Sequence, residues 1–340
     1  MDVKKAVNTY HRNIAIILGI VLAIFIAIPL FVKTPYIINI FVLVFYVSTM
    51  SMAWNILGGM TGQNSLGLAA YMGIGAYTVC LIVSKAGWNP WVASIFAMLV
   101  TGLIAGVIFF PCFILKGPYF TLVSIAFAES LRQFIINSEF FCRASGVGLP
   151  FGKDSLALFR FTSKVPYYYA GMIMMIAVYI IMKKIDGSKI GFALKTIRED
   201  EDAAAAIGIN PTKYKVLAVV ISAVVAGFVG FFYASYIRYI DPDLMVQAKS
   251  TEFVLPAVVG GLIMIPLSEF LRANYARVLP GINMIMYAVV LLVVIRFRPS
   301  GILGWYMDSK FKKFIDEKIL KKPSVDVLEQ YALDKHKKGA

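Results

Sequence analysis

Charged residues are scarce in this chain, at 15% of 340 residues, whereas hydrophobic residues make up 59%. Soluble domains carry roughly a quarter charged residues, so the composition excludes an ordinary soluble fold. Apolar windows long enough to cross about 30 Å of hydrocarbon recur along the chain. We predict an all-α polytopic membrane protein whose membrane segments lie at 14–32, 36–57, 65–84, 91–115, 118–137, 166–182, 214–237, 252–271 and 281–295.

The chain also lacks the motifs of nucleotide, metal and hydrolytic chemistry. No GxxxxGK[ST] run is present, so no P-loop is available to hold nucleotide phosphates. The two histidines, His11 and His336, lie near opposite termini and outside every predicted span, which disfavours a metal site or an acid–base pair. Neither G-x-S-x-G nor H-E-x-x-H occurs. We predict no catalytic residue and no metal site, and if the chain takes part in an ATP-driven process, another polypeptide must bind the ATP.

Cysteine is rare, and Cys80, Cys112 and Cys142 lack the spacing of metal ligands. Because two of them fall inside apolar spans, we predict that the cysteines are small buried apolar residues. Residues 14–32 are too long for the apolar part of a cleavable signal peptide and lack a small-x-small cleavage site. We interpret them as a first span that also directs insertion.

The positive charges of the chain are concentrated in three places. Of 33 Lys and Arg residues, three precede the first span, seven lie in 183–215 and eleven lie from Arg296 onward. The positive-inside rule then predicts that 1–13, 183–213 and the tail 305–340 face the cytoplasm, with 138–165 outside. The basic tail is interpreted as an anchor to the anionic bilayer surface, and no nucleic-acid partner is predicted despite the net charge of +14.

A polar, glycine-rich stretch at 55–67 interrupts the apolar pattern. Such backbone is tolerated inside a membrane where protein or water satisfies its polar groups. One interpretation is that its side chains line a substrate pathway, and the other is that the stretch is a loop at the membrane surface. The pathway candidates in this stretch are Asn55, Thr61, Gln63, Asn64 and Ser65.

Glu129 and Arg132 lie three residues apart inside a predicted span, and therefore on one helical face. A charge in the membrane usually faces a partner or the interior of a bundle. The pair could neutralise itself near a helix end, or Glu129 could take part in substrate passage. Small residues spaced four apart are assigned to helix packing alone, at Gly102 with Gly106 and at Ala223 with Gly227.

Four sequence blocks resemble the permease subunits of branched-chain amino acid ABC importers of the LivM type. The first, NILGGMTGQNSLGLAAYMGIGAY, begins at Asn55, and the second, LKGPYFTLVSIAFAE, ends at Glu129. The third runs from GFALKTIREDE at Gly191 to the GIN motif at Gly208, and the fourth is RPSGILG at 298–304. Together the blocks span about 36–304 and are specific in their order.

The resemblance implies the helical bundle of a type II ABC importer permease with eight to ten membrane segments in 14–304. It also implies four partners: a homologous LivH-type permease, two cytoplasmic ATPase subunits that use ATP and Mg, and an extracytoplasmic amino acid-binding protein. The chain itself would be a non-enzymatic subunit of a prokaryotic cytoplasmic membrane, carrying leucine, isoleucine or valine and binding no cofactor. The alternatives are a permease for urea or short amides and an ATP-independent secondary transporter or channel.

An ABC permease must pass the closure of its ATPase subunits to its own helices, so the resemblance makes 183–213 a coupling segment. Residues 191–197 predict one short amphipathic helix, and Asp200 or Asp202 is expected to cap a second over 203–207. Gly208 would end it, and Asn210 with Pro211 would begin the next span. The residues assigned to coupling are Gly191, Phe192, Leu194, Ile197, Arg198, Glu199, Asp200, Glu201, Ala204 and Gly208, with the three large apolar ones available for burial.

The C-terminal third of the chain conflicts with a simple topology. Three predicted spans separate 183–213 from the tail, which would place the eleven cations outside. Similar permeases carry about ten further residues after the equivalent of Gly261, and this chain lacks them. A native shortening and a sequence defect both fit, and we predict one kinked span over 252–271, broken near Gly260 and Gly261.

Overall fold

The computed structural model describes residues 3–32, 34–114, 118–150, 152–259 and 289. Helix α1 belongs to one compact unit and the helices from α2 onward belong to another, which carries the features discussed below. The helices in the described ranges are α1 (Val3–Phe31), α2 (Pro35–Trp54), α3 (Leu68–Ala86), α4 (Pro90–Phe109), α5 (Pro118–Asn137), α6 (Val165–Asp186), α7 (Lys189–Glu199), α8 (Glu201–Ala206), α9 (Pro211–Ile237) and α10 (Gln247–Val259).

Six described helices are long and apolar enough to cross a membrane, which confirms the all-α polytopic fold. They are Pro35–Gly59, Leu68–Ala86, Pro90–Phe109, Tyr119–Asn137, Val165–Asp186 and Pro211–Ile237, each at the place of a predicted span. Helix α1 begins at Val3, before the predicted start at 14, and α10 begins at Gln247. The predictions for 260–271, 281–295, the stretch after Gly261 and the tail 305–340 lie outside the described residues.

Local sequence sets several helix ends. Asn89 caps α4, because its side chain accepts a 2.9 Å hydrogen bond from Trp91 N, and Pro90 fills the first helical position. Gly87 ends α3 in the left-handed conformation, at φ 68°, which glycine adopts without steric penalty. These signals, readable in the sequence, turn the chain between α3 and α4 within three residues.

Helix α9 lies at the centre of the unit and packs closely against α3 and α4. A Cβ atom on Gly75 would lie 2.4 Å from the carbonyl oxygen of Gly227, and one on Gly230 would lie 2.3 Å from that of Met72. A Cβ on Gly102 of α4 would lie 2.8 Å from Val224. Small residues therefore allow backbones to approach in the membrane, as the spacings of Gly102 and Gly227 predicted.

Helix α4 presents an unpaired apolar face outside the bundle. Its exposed residues recur at helical spacing and include Ile95, Leu99 and Leu103. An exposed apolar face on a membrane-spanning helix is suited to contact with lipid.

The connection between α5 and α6 closes one end of the bundle. Its strand β1 (Val147–Gly148) pairs antiparallel with β2 (Tyr239–Ile240), which follows α9. The side chain of Ser84 at the end of α3 donates to the carbonyl oxygen of Gly148 at 2.8 Å. This end, called the outer end below, is opposite the end at which α7 and α8 lie, since α9 begins beside α8 and finishes at β2.

The cysteines differ from one another in environment. Cys80 is buried in α3, as predicted, and Cys112 is partly exposed after α4. The prediction of burial is wrong for Cys142, which is exposed at the outer end with a φ of 62°. Cys142 joins two short 3-10 turns outside every span, so no apolar environment surrounds it.

Candidate functional site

The predicted coupling segment forms two short helices between α6 and α9. Ser188 caps α7 by accepting a 3.3 Å hydrogen bond from Gly191 N. Asp200, rather than Asp202, caps α8 and accepts from the backbone N–H groups of residues 202 and 203, each at 2.9 Å. Asp200 therefore ends one helix and begins the next, with an extended backbone at φ −156° and ψ 116° between them.

Helix α7 is longer than the sequence predicted, and helix α8 begins and ends earlier. Helix α7 covers Lys189–Glu199 instead of 191–197, and α8 covers Glu201–Ala206 instead of 203–207. The capping residues explain the shift, since Ser188 and Asp200 start the helices before the apolar positions begin. Gly208, at φ 88°, follows the end of α8 and stops the helix there, as predicted.

Helix α7 is fixed against the C-terminal end of α6. A Cβ atom on Gly191 would lie 2.2 Å from the carbonyl oxygen of Ile185 and 2.7 Å from that of Asp186. The ammonium group of Lys195 forms an ion pair with Asp186 at 2.6 Å. Only glycine permits this backbone approach, so Gly191 defines where α7 docks.

Helix α8 is fixed to the start of α9 by a buried ion pair. The ammonium group of Lys215 lies 2.6 Å from a carboxylate oxygen of Glu201, and the Lys215 side chain is 1% exposed. The Glu201 carboxylate thus does more than favour the positive end of α8, because it compensates a cation removed from water. Asn210 caps α9 beside this pair, with Lys213 N donating at 3.1 Å.

The apolar side chains of the segment divide between two environments. Leu194, Ile197 and Ala204 are buried against the rest of the unit. Of the three large apolar residues predicted to be available for burial, Phe192 is the one that the rest of the unit leaves uncovered, at 68% exposed. Ile207, at the end of α8, is exposed to the same extent. Phe192 points away because it lies on the face of α7 opposite Leu194 and Ile197.

The polar stretch at 55–67 begins with a widened turn of helix. Residues Asn55–Gly59 form a π-helical turn that extends α2. A Cβ atom on Gly58 would lie 2.5 Å from the Trp54 ring, and one on Gly59 would lie 1.7 Å from the side-chain oxygen of Asn55. The two glycines therefore leave room for the two side chains one turn earlier. Such π-turns are frequent at functional sites.

The rest of this stretch is tied down by hydrogen bonds. Trp54 Nε1 donates to Ser65 O at 2.9 Å, and Thr61 Oγ1 donates to Leu57 O at 2.6 Å. Thr61 and Gln63 are buried, and Gln63 Oε1 has no hydrogen-bond partner in the described structure. Asn64 is exposed. Most of these candidates thus maintain the shape of the loop.

Neighbouring helices hold the same loop from two further sides. From α5, Thr121 Oγ1 donates to Asn64 O at 2.6 Å, and Ser124 Oγ accepts from Leu66 N at 2.9 Å. From α10, Ser250 Oγ accepts from Ala69 N at 3.0 Å. The loop is therefore a junction between α2, α3, α5 and α10.

Arg198 connects the coupling segment to this junction. Its Nη1 donates a 3.0 Å hydrogen bond to Gly59 O at the end of the π-turn, while its Nη2 contacts Glu199 at 2.8 Å. A Cβ atom on Gly62 would lie 3.1 Å from Arg198 Cγ. The structure thus brings together two features that the sequence presented as separate.

Glu129 lies apart from the other pathway candidates, further along α5. Arg132 Nη2 contacts Glu129 at 2.8 Å, which confirms the predicted pair, and Gln133 Nε2 donates to the same oxygen at 2.8 Å. Arg132 Nη1 also lies 3.1 Å from Asp243, which precedes α10. Three of these four polar side chains lie on α5, a helix long and apolar enough to span the membrane, where Glu129 is 48% exposed and Arg132 is 21% exposed.

Sequence reasoning missed several residues of these sites. Lys215 lies two residues after Lys213 at the start of an apolar span, where cations are expected to flank the membrane, so the sequence gave no signal that Lys215 is buried. The sequence also gave no signal for Asp243 or Ser250, because their partners Arg132 and Ala69 are distant in the chain.

Six apolar helices, a junction loop and a docked helical pair define a multi-pass helical membrane protein. The family model described as "Branched-chain amino acid transport system / permease component" matches residues 36–300, and the chain belongs to this family. It is similar to the "High-affinity branched-chain amino acid transport system permease protein LivM" of Salmonella typhimurium, with 26% identity over 293 residues, 76% of this chain and 69% of that protein. The protein of the same description from Escherichia coli is 25% identical over the same shares. No solved structure matches.

The family and the fold confirm the predicted resemblance. The chain is a transport permease of the branched-chain amino acid ABC type and a multi-pass protein of the bacterial inner membrane.

Proposed function

We propose that this chain is one of two permease subunits of an ATP-driven importer for leucine, isoleucine and valine. A homologous LivH-type permease would be its membrane partner, and an extracytoplasmic binding protein would deliver the substrate. Two cytoplasmic ATPase subunits would bind ATP and Mg, so that this chain binds no cofactor and is not an enzyme. The family and the names of the two LivM proteins to which the chain is similar support this assignment.

The observation that carries the proposal is the helical pair α7 and α8. Gly191 and the Lys195–Asp186 ion pair fix one helix, and the Glu201–Lys215 ion pair fixes the other. Phe192 and Ile207 remain exposed on the outward side. A solvated loop needs neither rigid attachment nor outward apolar side chains, whereas a groove in an ATPase subunit requires both.

Movement of this pair would reach the membrane helices through the junction at 55–67. Arg198 holds the π-turn at Gly59, and the loop beyond it is bonded to Ser124 of α5 and Ser250 of α10. In this proposal Asn55, Thr61, Gln63, Asn64 and Ser65 transmit this displacement to the helices that line the pathway.

Glu129 is the pathway residue that the proposal favours. Polar groups on a membrane-spanning helix must face protein or water. The exposed cluster of Glu129, Arg132 and Asp243 carries both signs of charge, as the ends of a zwitterionic amino acid do. We infer that this face of α5 lies toward the second permease and the translocation pathway.

The orientation follows from the coupling role. Residues 1–13, 183–213 and 305–340 would face the cytoplasm, and 138–165 would face outside. The exposed native thiol of Cys142 is a reporter of the outer end. In intact cells a membrane-impermeant maleimide should label Cys142, while Lys189→Cys in a chain lacking Cys112 and Cys142 should react only after permeabilisation. Labelling of both from one side contradicts the orientation.

The function is tested by reconstitution in liposomes with the neighbouring ATPases and binding protein. ATP hydrolysis should rise with leucine-, isoleucine- or valine-loaded binding protein and not with urea. Phe192→Ala should weaken ATPase association, whereas the matched control Leu99→Ala, at an equally exposed lipid-facing position, should not. Uptake without ATP would instead indicate a secondary transporter or channel. A Glu129→Gln variant that keeps ATPase association but loses uptake would assign it to the pathway.

A further inference from the structure

A cavity of about 180 Å³ opens at the outer end of the bundle. The turn between α3 and α4, the connection after β1 and the last turn of α9 form its walls. Its volume is below the roughly 300–1,000 Å³ of pockets that hold drug-sized ligands, so its occupant is small or enters only in part. Its walls combine apolar side chains with a few polar ones, among them Trp88, Leu149, Phe159, Arg160, Ser235 and Arg238.

Two polar atoms at this cavity are buried without a partner. Ser235 is 4% exposed and its Oγ has no hydrogen-bond partner among the described residues, where Arg160 Nε is likewise buried and unpaired. Arg160 uses Nη1 to donate to Pro150 O at 3.0 Å. Buried polar atoms are nearly always hydrogen-bonded, so these two donors indicate a ligand that accepts hydrogen bonds.

The charge of the walls narrows the class of ligand. Arg160 and Arg238 both line the cavity, and none of its lining residues in the described ranges carries a carboxylate. A guanidinium group matches the geometry of carboxylate and phosphate oxygens. A zwitterion such as a free amino acid would find no carboxylate for its ammonium group, so the walls favour an anion without a nearby cation.

Three other cations of the outer end have partners within the chain: Lys85 Nζ donates to Phe140 O at 2.7 Å, Lys164 Nζ donates to Asn39 at 3.2 Å, and Arg143 pairs with Glu139. The two arginines at the cavity are held as well, since Arg160 Nη1 donates to Pro150 O and Arg238 Nη2 donates to Phe161 O at 3.3 Å. The polar atoms that call for a ligand are therefore Arg160 Nε and Ser235 Oγ.

The cavity lies at the level of the membrane surface. Trp88 and Trp91 flank the start of α4 and are about half exposed, and the lipid-facing residues of α4 follow them. Tryptophan is enriched where the hydrocarbon meets the head groups. The Trp91 ring also packs against Phe159, with centroids 5.1 Å apart, and so ties this level to the cavity wall.

We propose that this cavity binds the phosphodiester head group of an anionic phospholipid in the adjacent leaflet. Arg160 and Arg238 contact the phosphate oxygens, and the Ser235 hydroxyl donates to one of them. The apolar wall at Trp88 and Leu149 covers the glycerol. An anionic lipid is favoured over free phosphate, which has the same charge chemistry, because the walls are mainly apolar and the cavity adjoins the lipid-facing helix.

Native mass spectrometry of the full chain, purified in detergent with its co-purifying subunits, tests this site. Phosphatidylglycerol and phosphatidylethanolamine with identical acyl chains are titrated separately. The wild-type chain should bind phosphatidylglycerol more tightly. Arg160→Gln and Ser235→Ala should each weaken that binding, the first by about tenfold, the size of one hydrogen bond to a charged group. Arg143→Gln removes an outer-end cation away from the cavity and should leave binding unchanged.

Three results would overturn the proposal: equal binding of the two lipids, an equal loss in Arg143→Gln, or unchanged binding in both cavity variants. Inorganic phosphate is the fourth arm. If it binds with the same dependence on Arg160 while phosphatidylglycerol binding does not depend on that residue, the cavity is a free-anion site. Size-exclusion chromatography checks folding, and if Arg160→Gln aggregates, Ser235→Ala decides, since it removes one oxygen atom and leaves both charges.

Discussion

The two ends of this helical bundle are held together by different interactions. At the end that carries α7 and α8, side-chain caps and ion pairs fix each element, and Lys215 of one ion pair is fully buried. At the outer end, the connection after α5 contains short 3-10 turns and a ribbon of two residues per strand. Aromatic rings fill that end, with Phe159 in contact with Phe231 and Tyr167.

This difference has a mechanical consequence. Ion pairs and capped helices have preferred directions, so we expect the end with α7 and α8 to move as a rigid piece. Contacts between rings are less directional and tolerate sliding, and the outer end carries few backbone ladders. We infer that the first end suits the transmission of force and the outer end suits adaptation to a docking partner.

The largest expected effect comes from filling the space at Gly191. In Gly191→Val a Cβ atom would collide with the carbonyl oxygen of Ile185 at 2.2 Å, so α7 must leave its position on α6. Membrane insertion should persist, whereas ATPase association and stimulated ATP hydrolysis should be lost almost entirely. Gly187→Ala is the matched control, because its Cβ would be 3.6 Å from Lys183 O, an ordinary contact. Normal stimulated ATP hydrolysis in Gly191→Val would show that α7 does not transmit movement between the ATPase subunits and the membrane helices.

The next effect concerns the buried ion pair. Glu201→Ala leaves the Lys215 ammonium without compensation at 1% exposure, and breaking such a pair costs about 3–5 kcal/mol. The thermal midpoint in detergent should fall by several degrees and ATPase stimulation should fall with it. Asp202→Ala removes an exposed carboxylate from the first turn of the same helix and should change the midpoint much less. Equal shifts of the thermal midpoint in the two variants would contradict the conclusion that the Glu201–Lys215 ion pair fixes α8.

A smaller effect is expected from Arg198→Gln. The variant removes the hydrogen bond to Gly59 O but leaves α7 attached through Gly191 and Lys195. ATPase association should therefore persist, while coupled ATP hydrolysis falls roughly fivefold, the equivalent of about 1 kcal/mol for a half-exposed charged hydrogen bond. Glu199→Gln keeps that hydrogen bond and serves as the control. If Arg198→Gln lost ATPase association, the role of Arg198 would be the docking of the ATPase subunit rather than transmission.

The elements of this fold were largely predictable because their signals are local. Apolar windows gave the spans, Asn210 with Pro211 gave the start of α9, and Gly208 gave the end of α8. Amphipathic periodicity does not show which partner covers a face, so the exposure of Phe192 could not be foreseen.

The site was less predictable because its contacts join distant parts of the chain. Arg198 meets Gly59 across 139 residues, and no pattern within either segment specifies the other. The Glu201–Lys215 pair is closer, at 14 residues, but a turn and two helix ends intervene. Hence the sequence indicated each of the two segments separately, while the contact between them was visible only in the structure.

The smallest effect is expected at the outer end and completes the comparison. Arg143 and Glu139 form an ion pair whose side chains are 61% and 81% exposed. Water screens such a pair, and its contribution is about 0–1 kcal/mol, falling with salt. A double-mutant cycle with Glu139→Ala and Arg143→Ala should give a coupling energy near zero. The same cycle with Glu201→Ala and Lys215→Met should give a coupling energy several times larger and nearly independent of salt. If both cycles gave the same value and salt dependence, the two ends would not differ in rigidity and the mechanical division would fail.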